Sequence, residues 1–265
     1  MSSQITTAFV EQYSANIQML SQQMGSLLKD HVRNESVVGK DAYFDQIGKV
    51  TAILKTTRHS DTPQIDTPHS RRRVSLADYE FADLIDQQDK IRLLIDPTSS
   101  YAKAAAYAMG RATDDVIIAA ALGSSNTGVS GGTAVPLPAG NITAVGTGGA
   151  NTMNIAKLAL AKAKLDLGDV DPSITRHIIV SPTEIQDLLN TTTITSSDFN
   201  TVKALVQGEI DSFMGFKFHV SNRLVDNGAA NTQCIAFAED GILLGVGKDV
   251  TARIDERSDK SYATQ

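Results

Sequence analysis

The segment 96–123 limits the fold most strongly, because it predicts a single long helix. Asp96 is a suitable N-cap, Pro97 suits the first helical position, and Gly123 is a typical C-terminal stop. A helix over residues 97–122 would be about 39 Å long at a rise of 1.5 Å per residue. One face of it is rich in alanine and can pack closely against a sheet. We therefore expect this helix to form the backbone of a domain.

The chain after this helix alternates between predicted helices and predicted strands. Residues 123–150 are rich in Gly, Ser and Thr, which indicates a loop or a loosely formed hairpin. Helical periodicity and capping signals then mark three helices, at residues 151–168, 181–190 and 198–210. Apolar or alternating runs mark five strands, at residues 175–181, 215–221, 233–238, 241–247 and 249–258. A compact unit of mixed helix and sheet is expected there.

A long β-hairpin is predicted before the helix. Residues 50–58 and 71–81 are rich in β-branched and aromatic residues and lack helical periodicity, as strands do. The connecting segment contains Pro63 and Pro68, and each proline removes a ladder hydrogen bond and stiffens the backbone. A two-stranded hairpin alone is marginally stable in water. We therefore expect this one to pack against something else.

Three consecutive arginines follow the connecting segment, with Arg58 expected on the facing strand: Arg71, Arg72 and Arg73. They could form a solvated strand edge that deters aggregation. They could contact the phosphates of a nucleic acid. They could also form ion pairs across a subunit interface, because the planar guanidinium suits carboxylates.

An acidic partner for these arginines is present in the same sequence. It lies shortly after the predicted hairpin and contains Asp78, Glu80, Asp83, Asp86 and Asp89. The predicted strand separates the two charged segments within one copy, whereas different copies can bring them together. The net charge of −6 favours subunit contacts over nucleic-acid binding for the arginines.

The one serine pattern typical of a hydrolase is in the wrong context. Residues 128–132 match Gly-x-Ser-x-Gly, but a nucleophile elbow needs a strand before Ser130 and a helix after it. The residues that follow are rich in proline and glycine, so no helix is expected there. Cys234 is the single cysteine and lies in an apolar run, which favours an inert buried thiol. We predict no catalytic residue and no enzyme activity.

A metal site is conceivable near the connecting segment, with four possible ligands: His59, Asp61, Asp66 and His69. Two Asp-Thr-Pro turns explain the carboxylates more simply, because Asp initiates turns by accepting bonds from backbone N–H groups. The spacing also lacks the regularity of true zinc patterns. We therefore predict no metal and no cofactor.

The N-terminal residues predict an amphipathic helix over 8–28. Its apolar stripe includes Phe9, Tyr13 and Ile17. The helix could pack on its own domain or lie as an arm on a neighbouring subunit. No basic region followed by an apolar block begins the chain, and the longest apolar run, residues 116–122, is too short to cross a bilayer. We expect a protein made in a cytoplasm, without a membrane partner.

The order of these elements resembles the major capsid protein of tailed bacteriophages, which has the Hong Kong 97 fold. The resemblance extends to sequence blocks along nearly the whole chain, including "VGKDAYFDQIGKV", "SRRRVSLADYEFADLIDQQDKIRLLIDPTSSYAKAAAYAMGRATDD", "RHIIVSPTEIQDLL" and "DERSDKSYATQ". It implies an α+β fold with four parts. These are an N-terminal arm (1–35), an extended loop (36–82), a peripheral domain (83–149 and 248–265) with spine helix 97–122, and an axial domain (150–247).

By this resemblance the chain is a structural protein that assembles through pentamers and hexamers into an icosahedral shell around a double-stranded DNA genome. The partners implied are other copies of the chain, scaffolding, portal and decoration proteins, and DNA bound without sequence specificity. The localisation implied is the virion capsid, assembled in the bacterial cytoplasm. An encapsulin-like cellular compartment on the same fold is the alternative. In the phage capsid family we would expect a further strand of the peripheral sheet beyond Gln265.

The resemblance also implies where the subunit contacts lie. The extended loop would reach over a neighbouring subunit, and the arm would run beside the next one. The expected interface residues are Phe9, Tyr13, Ile17, Arg58, His59, Asp61, Asp66, His69, Arg71, Arg72, Arg73, Asp78, Glu80, Asp83 and Asp86.

Overall fold

The computed structural model describes residues 22–59, 61–83, 98–149, 151–190, 212–226, 231–251, 253, 255–257 and 263–264. The chain forms two compact units. The smaller unit comprises Met1–Ser26, Asp78–Ala112 and Asp249–Gln265, and the larger comprises Leu27–Ala77 and Thr113–Lys248. Several predictions fall outside the described residues: the apolar stripe of Phe9, Tyr13 and Ile17, the acidic residues Asp86 and Asp89, the cap signals Asp96 and Pro97, and the helix at 198–210. The helix predicted over 8–28 is wrong at its C-terminal end, because residues 22–28 carry no helix and Gly25 has φ of 87°.

Three α-helices lie in the described parts of the chain. Helix α1 spans Thr98–Leu122, in agreement with the predicted spine helix. Helix α2 spans Ile155–Leu167 and helix α3 spans Pro182–Asn190. None of the described helices is long and apolar enough to cross a membrane.

Local capping signals explain where the two shorter helices begin. The side chain of Asn154, rather than the predicted Asn151, caps α2 by accepting a 2.9 Å hydrogen bond from the Lys157 N–H. The Ser181 N–H donates a 3.0 Å bond to the Glu184 carboxylate at the start of α3. This reciprocal bond belongs to the capping box that the sequence predicted.

The larger unit is built around a four-stranded sheet in the order β7–β8–β6–β9. Its strands are β6 (Arg176–Val180), β7 (Ser212–Phe213), β8 (Phe216–Val220) and β9 (Ile235–Ala238). Strands β6 and β8 are parallel, and β7 and β9 flank them in antiparallel fashion. Every residue of β6 is buried, as expected of a central apolar strand.

Both faces of this sheet are covered. On one face, Ile178 and Phe218 pack with Leu158 of α2 and Leu188 of α3. On the other, Ile179 packs with residues of α1 and with a segment near the N-terminus, in a cluster that contains Leu28, Val32, Ile117, Ile118, Ile179, Ile235 and Phe237. Alternate residues of β6 therefore join two separate apolar cores, one on each side of the sheet.

A second four-stranded sheet contains the hairpin of the extended loop. It is antiparallel throughout, in the order β2–β3–β4–β5. Its strands are β2 (Asp41–Ile47), β3 (His69–Ser75), β4 (Ser124–Thr127) and β5 (Thr133–Pro136). Strands β4 and β5 form the hairpin that the sequence allowed within residues 123–150.

The outgoing strand of the extended loop is 41–47, so the predicted strand at 50–58 is wrong. Residues 50–56 carry no regular structure, and Arg58 lies in the segment between the strands instead of facing the arginine run. The opposite segment contains Pro63 and Pro68, which cannot donate ladder hydrogen bonds. Pairing is therefore displaced to β2, which faces β3 from Asp41↔Ser75 to Ile47↔His69.

Two smaller strand pairs complete the described structure. Strands β1 (Arg33–Ser36) and β10 (Leu243–Val246) are parallel and belong to the larger unit. Strands β11 (Glu256–Arg257) and β12 (Ala263–Thr264) are antiparallel and belong to the smaller one. The predicted strand at 249–258 is therefore observed only at its C-terminal end among the residues described there.

Candidate assembly surface

The loop tip, residues 48–68, is exposed at every position that the structure describes. Several of its exposed side chains are large and apolar: Val50, Ile53, Leu54 and Ile65. Leu54 retains 84% of its accessible surface. The tip is also tied to its own chain at one point, where Nζ of Lys49 lies 2.5 Å from Oδ2 of Asp169. Several exposed apolar side chains within one segment are typical of a surface that contacts another molecule.

An ion pair joins the two strands at the base of the tip. Nε of Arg71 lies 2.6 Å from Oδ1 of Asp45, and a second guanidinium nitrogen lies 3.0 Å from Oδ2. The guanidinium also lies 5.9 Å from the ring centroid of Tyr43. The hydrogen bond from Arg71 lowers the pKa of Asp45, and the same bond raises the pKa of Arg71. Both groups remain charged at neutral pH, so the pair can hold the two strands in register.

Arg72 and Arg73 lie on an inner part of the sheet. Arg72 pairs with Thr127 and Arg73 with Asn126 of β4, while β2 occupies the other side of β3. The Nε atom of Arg73 is buried and has no hydrogen-bond partner among the described residues. At these two positions β3 has a neighbouring strand on each side. The arginines there therefore do not form a solvated strand edge.

The turn of the β4–β5 hairpin packs directly on Arg73. Gly131 has φ of 65°, and a Cβ atom there would lie 2.5 Å from Cβ of Arg73. The hydroxyl of Tyr43 donates a 3.4 Å hydrogen bond to the carbonyl of Ser130 in the same turn. Ser130 thus lies in a hairpin turn between two strands, without the strand–turn–helix context of a nucleophile elbow.

The remaining predicted interface residues are distributed over exposed segments. Arg58, His59, Asp61 and Asp66 lie on the loop tip, and His69 begins β3. Asp78, Glu80 and Asp83 are exposed in the segment after the hairpin. Their role at a subunit interface stays a prediction. The structure does not gather His59, Asp61, Asp66 and His69 into a group able to hold a metal ion.

A buried carboxylate that the sequence analysis missed fixes the segment entering the larger unit. Asp114 on α1 is fully buried, and its oxygens accept 3.1 Å hydrogen bonds from the backbone N–H groups of Leu27 and Leu28. The neighbouring Asp115 forms a two-pronged ion pair with Arg223. The sequence did contain a signal for these two contacts, because Asp114 and Asp115 are adjacent acidic residues next to the apolar end of a long helix.

One cysteine and one cluster of three histidines determine what chemistry the larger unit could support. Burial raises the pKa of the Cys234 thiol to about 12, so the thiol is protonated at neutral pH and a poor nucleophile. One group of described side chains could hold a metal, and the sequence analysis missed it: His31, His177 and His219. All three belong to the larger unit.

Comparison with known structures identifies the fold. The chain is similar to the capsid structure of the cyanophage P-SCSP1u, at 17% identity and a TM-score of 0.69, covering 98% of this chain and 87% of that one. It is also similar to the capsid of Ralstonia phage GP4, at 11% identity and a TM-score of 0.69, covering 97% and 88%. A chain of Mycobacterium phage Che8 matches at 16% identity and a TM-score of 0.69, covering 97% and 89%.

The sequence comparison gives the family. No curated protein sequence matches the chain. The sequence model described as phage capsid protein, however, matches residues 5–265. The resemblance inferred from the order of elements and the sequence blocks is thereby confirmed, and the cellular-compartment alternative is not favoured. The chain belongs to the phage capsid protein family, as a major capsid protein with the Hong Kong 97-like fold.

Proposed function

We propose that copies of this chain assemble through pentamers and hexamers into an icosahedral shell, and that the loop tip of each copy lies on a neighbouring copy. The observation that carries the proposal is the exposure of Val50, Ile53, Leu54 and Ile65 on the loop tip. Their burial against a second copy would remove apolar surface from water, which stabilises association by about 25 cal/mol per Å² before the costs of binding.

The charged residues of the extended loop would orient the two copies at this contact through ion pairs. In the proposed shell, the arginines of the loop (Arg58, Arg71, Arg72, Arg73) approach the acidic segment of a neighbour (Asp78, Glu80, Asp83, Asp86). His59, Asp61, Asp66 and His69 belong to the same contact, and Phe9, Tyr13 and Ile17 belong to an arm contact. Arg71 has Asp45 as a partner within its own chain, so it stiffens the loop as well.

Many weak contacts of this kind suffice for a closed shell. Each subunit meets several neighbours through heterologous patches, and rings of such patches close only at particular rotation angles. Simultaneous engagement of the loop, arm and axial domain multiplies modest affinities. In this proposal the arm, the extended loop, the peripheral domain and the axial domain each make their own contacts with neighbouring copies.

The shell so formed would enclose double-stranded DNA, held without sequence specificity. A net charge of −6 suits a container for densely packed DNA, because a strongly basic lining would retain the genome. Scaffolding, portal and decoration proteins are the further partners we propose. Assembly would take place in the bacterial cytoplasm, and the chain would act without a catalytic centre.

Assembly of the purified chain tests the proposal. We expect negative-stain microscopy and light scattering to show shells, or rings of five and six subunits. A scaffolding protein is added if the chain alone remains monomeric. Replacing Val50, Ile53 and Leu54 by Ser should abolish these assemblies while the subunit stays folded. Thr51→Ser with Thr56→Ser is the matched control in the same segment and should assemble normally. Unimpaired assembly of the triple variant would refute the role of the loop tip.

A further inference from the structure

Three of the five histidines of the chain meet inside the larger unit. His177 lies on β6 and His219 on the adjacent parallel strand β8. In the register of these strands His177 faces Lys217 and Ile179 faces His219, so the two imidazoles share one face of the sheet. His31 closes the 3₁₀ helix Lys29–His31 and brings the third imidazole to the same place.

The rings are close enough to share one ion. Their centroids lie 4.9 Å apart for His31 and His177, 4.3 Å for His31 and His219, and 5.1 Å for His177 and His219. One nitrogen from each ring lies within 4.8 Å of the others, and Nδ1 of His177 lies 2.9 Å from Nε2 of His219. Tetrahedral zinc with Zn–N bonds of about 2.0–2.1 Å needs donors roughly 3.4 Å apart. Small rotations of the three rings would bring their nitrogens to this spacing.

The environment leaves one ring nitrogen of the cluster without a partner, while Nδ1 of His177 and Nε2 of His219 hydrogen-bond to each other. His177 is 1% exposed, and its Nε2 atom is buried without a hydrogen-bond partner among the described residues. Unpaired polar atoms in a core are uncommon and costly, so this one calls for an explanation. The ring of Phe237 stacks on His177, with 5.5 Å between the ring centroids, and covers one side of the cluster. An apolar wall around imidazole donors is a common setting for a bound transition metal.

The protonation state is also suitable for metal binding. Burial lowers the pKa of His177, and burial lowers that of His219 to about 4, with the neighbouring histidines as the next cause in each case. Both rings are therefore neutral near pH 7, and a neutral imidazole has the lone pair that a metal needs. The charged side chains that act on His177 are Glu239 and Lys217, which have opposite effects on its pKa.

We propose that His31, His177 and His219 bind one zinc ion, with water in the fourth position. Imidazole nitrogen is a preferred ligand of zinc, and three histidines plus water form an established coordination set. The ion would tie the segment around Lys29–His31 to the sheet of the larger unit. Since this segment ends the N-terminal arm of residues 1–35, zinc would fix the point where the arm leaves the domain.

A zinc titration of the full-length chain without a histidine tag tests this site. After treatment with a chelator and dialysis, the chain should bind Zn²⁺ with a stoichiometry of one ion per chain by calorimetry. His31→Gln should weaken binding by about 100-fold or more, since it removes a ligand. The double variant His59→Gln, His69→Gln changes the two histidines outside the cluster and should bind as the unchanged chain does.

A second measurement keeps the test independent of how well the variants fold. Co²⁺ added to the metal-free unchanged chain should give the intense visible absorption of a tetrahedral site, and Zn²⁺ should remove it. With zinc at about 100 times its Kd, the Tm should rise by roughly 5–10 °C. The proposal fails if the unchanged chain binds no stoichiometric Zn²⁺, or if loss of His59 and His69, rather than of His31, abolishes binding.

Discussion

Arg71 and Asp45 face each other across β2 and β3 and form a two-pronged ion pair, with Nε of Arg71 2.6 Å from Oδ1 of Asp45. The pair lies two register positions from Ile47↔His69, where the two strands end and the loop tip begins. An exposed ion pair contributes little to folding stability. We therefore expect the pair to matter for the geometry of the loop more than for folding stability.

Breaking this pair should affect assembly more than folding. We expect Asp45→Asn to leave the urea midpoint of the subunit nearly unchanged and to reduce the yield of shells or rings in light scattering. Arg253→Ser removes a more exposed ion pair, with Asp255, and serves as the control. Equal assembly yields for the two variants would contradict a role for the pair in aiming the loop.

The same pair predicts a direction of pH dependence. The folded-state pKa of Asp45 lies below its ordinary value of 3.8, so the stabilisation is present above that value and is lost as the pH falls through the lowered pKa. Shells of the unchanged chain should therefore keep this contribution at pH 5 and lose it only in strong acid. Titration of the Asp45 carboxyl by NMR would measure it, and a pKa above 3.8 would contradict the pairing.

Removal of the buried Asp114 carboxylate should destabilise the subunit strongly. Asp114→Ala leaves the backbone N–H groups of Leu27 and Leu28 without their acceptor, at a cost of about 2–4 kcal/mol. Urea unfolding measures the loss. Asp115→Ala breaks a partly exposed pair on the same helix and should cost about 1 kcal/mol or less. Similar losses for both variants would contradict the anchoring role of Asp114.

The close approach of the β4–β5 turn to Arg73 makes one glycine essential. Gly131→Ala would place a Cβ 2.5 Å from Arg73 at a φ that alanine adopts only with strain. We expect a loss of about 1–3 kcal/mol in unfolding free energy. Gly132→Ala is the adjacent control, since its nearest atom would lie 3.8 Å away. A neutral Gly131→Ala variant would show that the turn does not pack on Arg73.

The Cys234 thiol should resist alkylation in the folded chain. Because burial raises its pKa to about 12, only a minute fraction is thiolate at pH 8. We expect iodoacetamide labelling to be at least about 100-fold slower than in the same chain unfolded in urea. Mass spectrometry of timed samples measures the two rates. Equal rates would show that the thiol is accessible and ionised.

The elements that could be predicted from the sequence were those specified by residues close together along the chain. Helix α1 ends at Leu122, next to the stop predicted at Gly123, and the capping box of α3 lies between Ser181 and Glu184. Strand β6 contains the apolar run at 178–180, which is typical of a buried strand, and all of its residues are buried. Signals of this kind act within a few residues, so they need no knowledge of the tertiary structure.

The elements that the sequence did not predict depend on partners distant along the chain. Residues 50–58 have strand-like composition, but the segment opposite them contains two prolines, and pairing moved to β2. The contact of Asp114 with Leu28 joins residues 86 positions apart. His177 and His219 meet only because two parallel strands adopt one register. A histidine within each of two buried strands was the signal that could have suggested the cluster.

Electron cryomicroscopy of an assembled shell tests the central claim most directly, because it shows where each loop tip lies. We expect the tip of every subunit to rest on a neighbouring copy, with Val50, Ile53 and Leu54 buried there and the arginine run near a neighbour's acidic segment. A shell in which these three side chains remain exposed to solvent would contradict the proposed role of the extended loop.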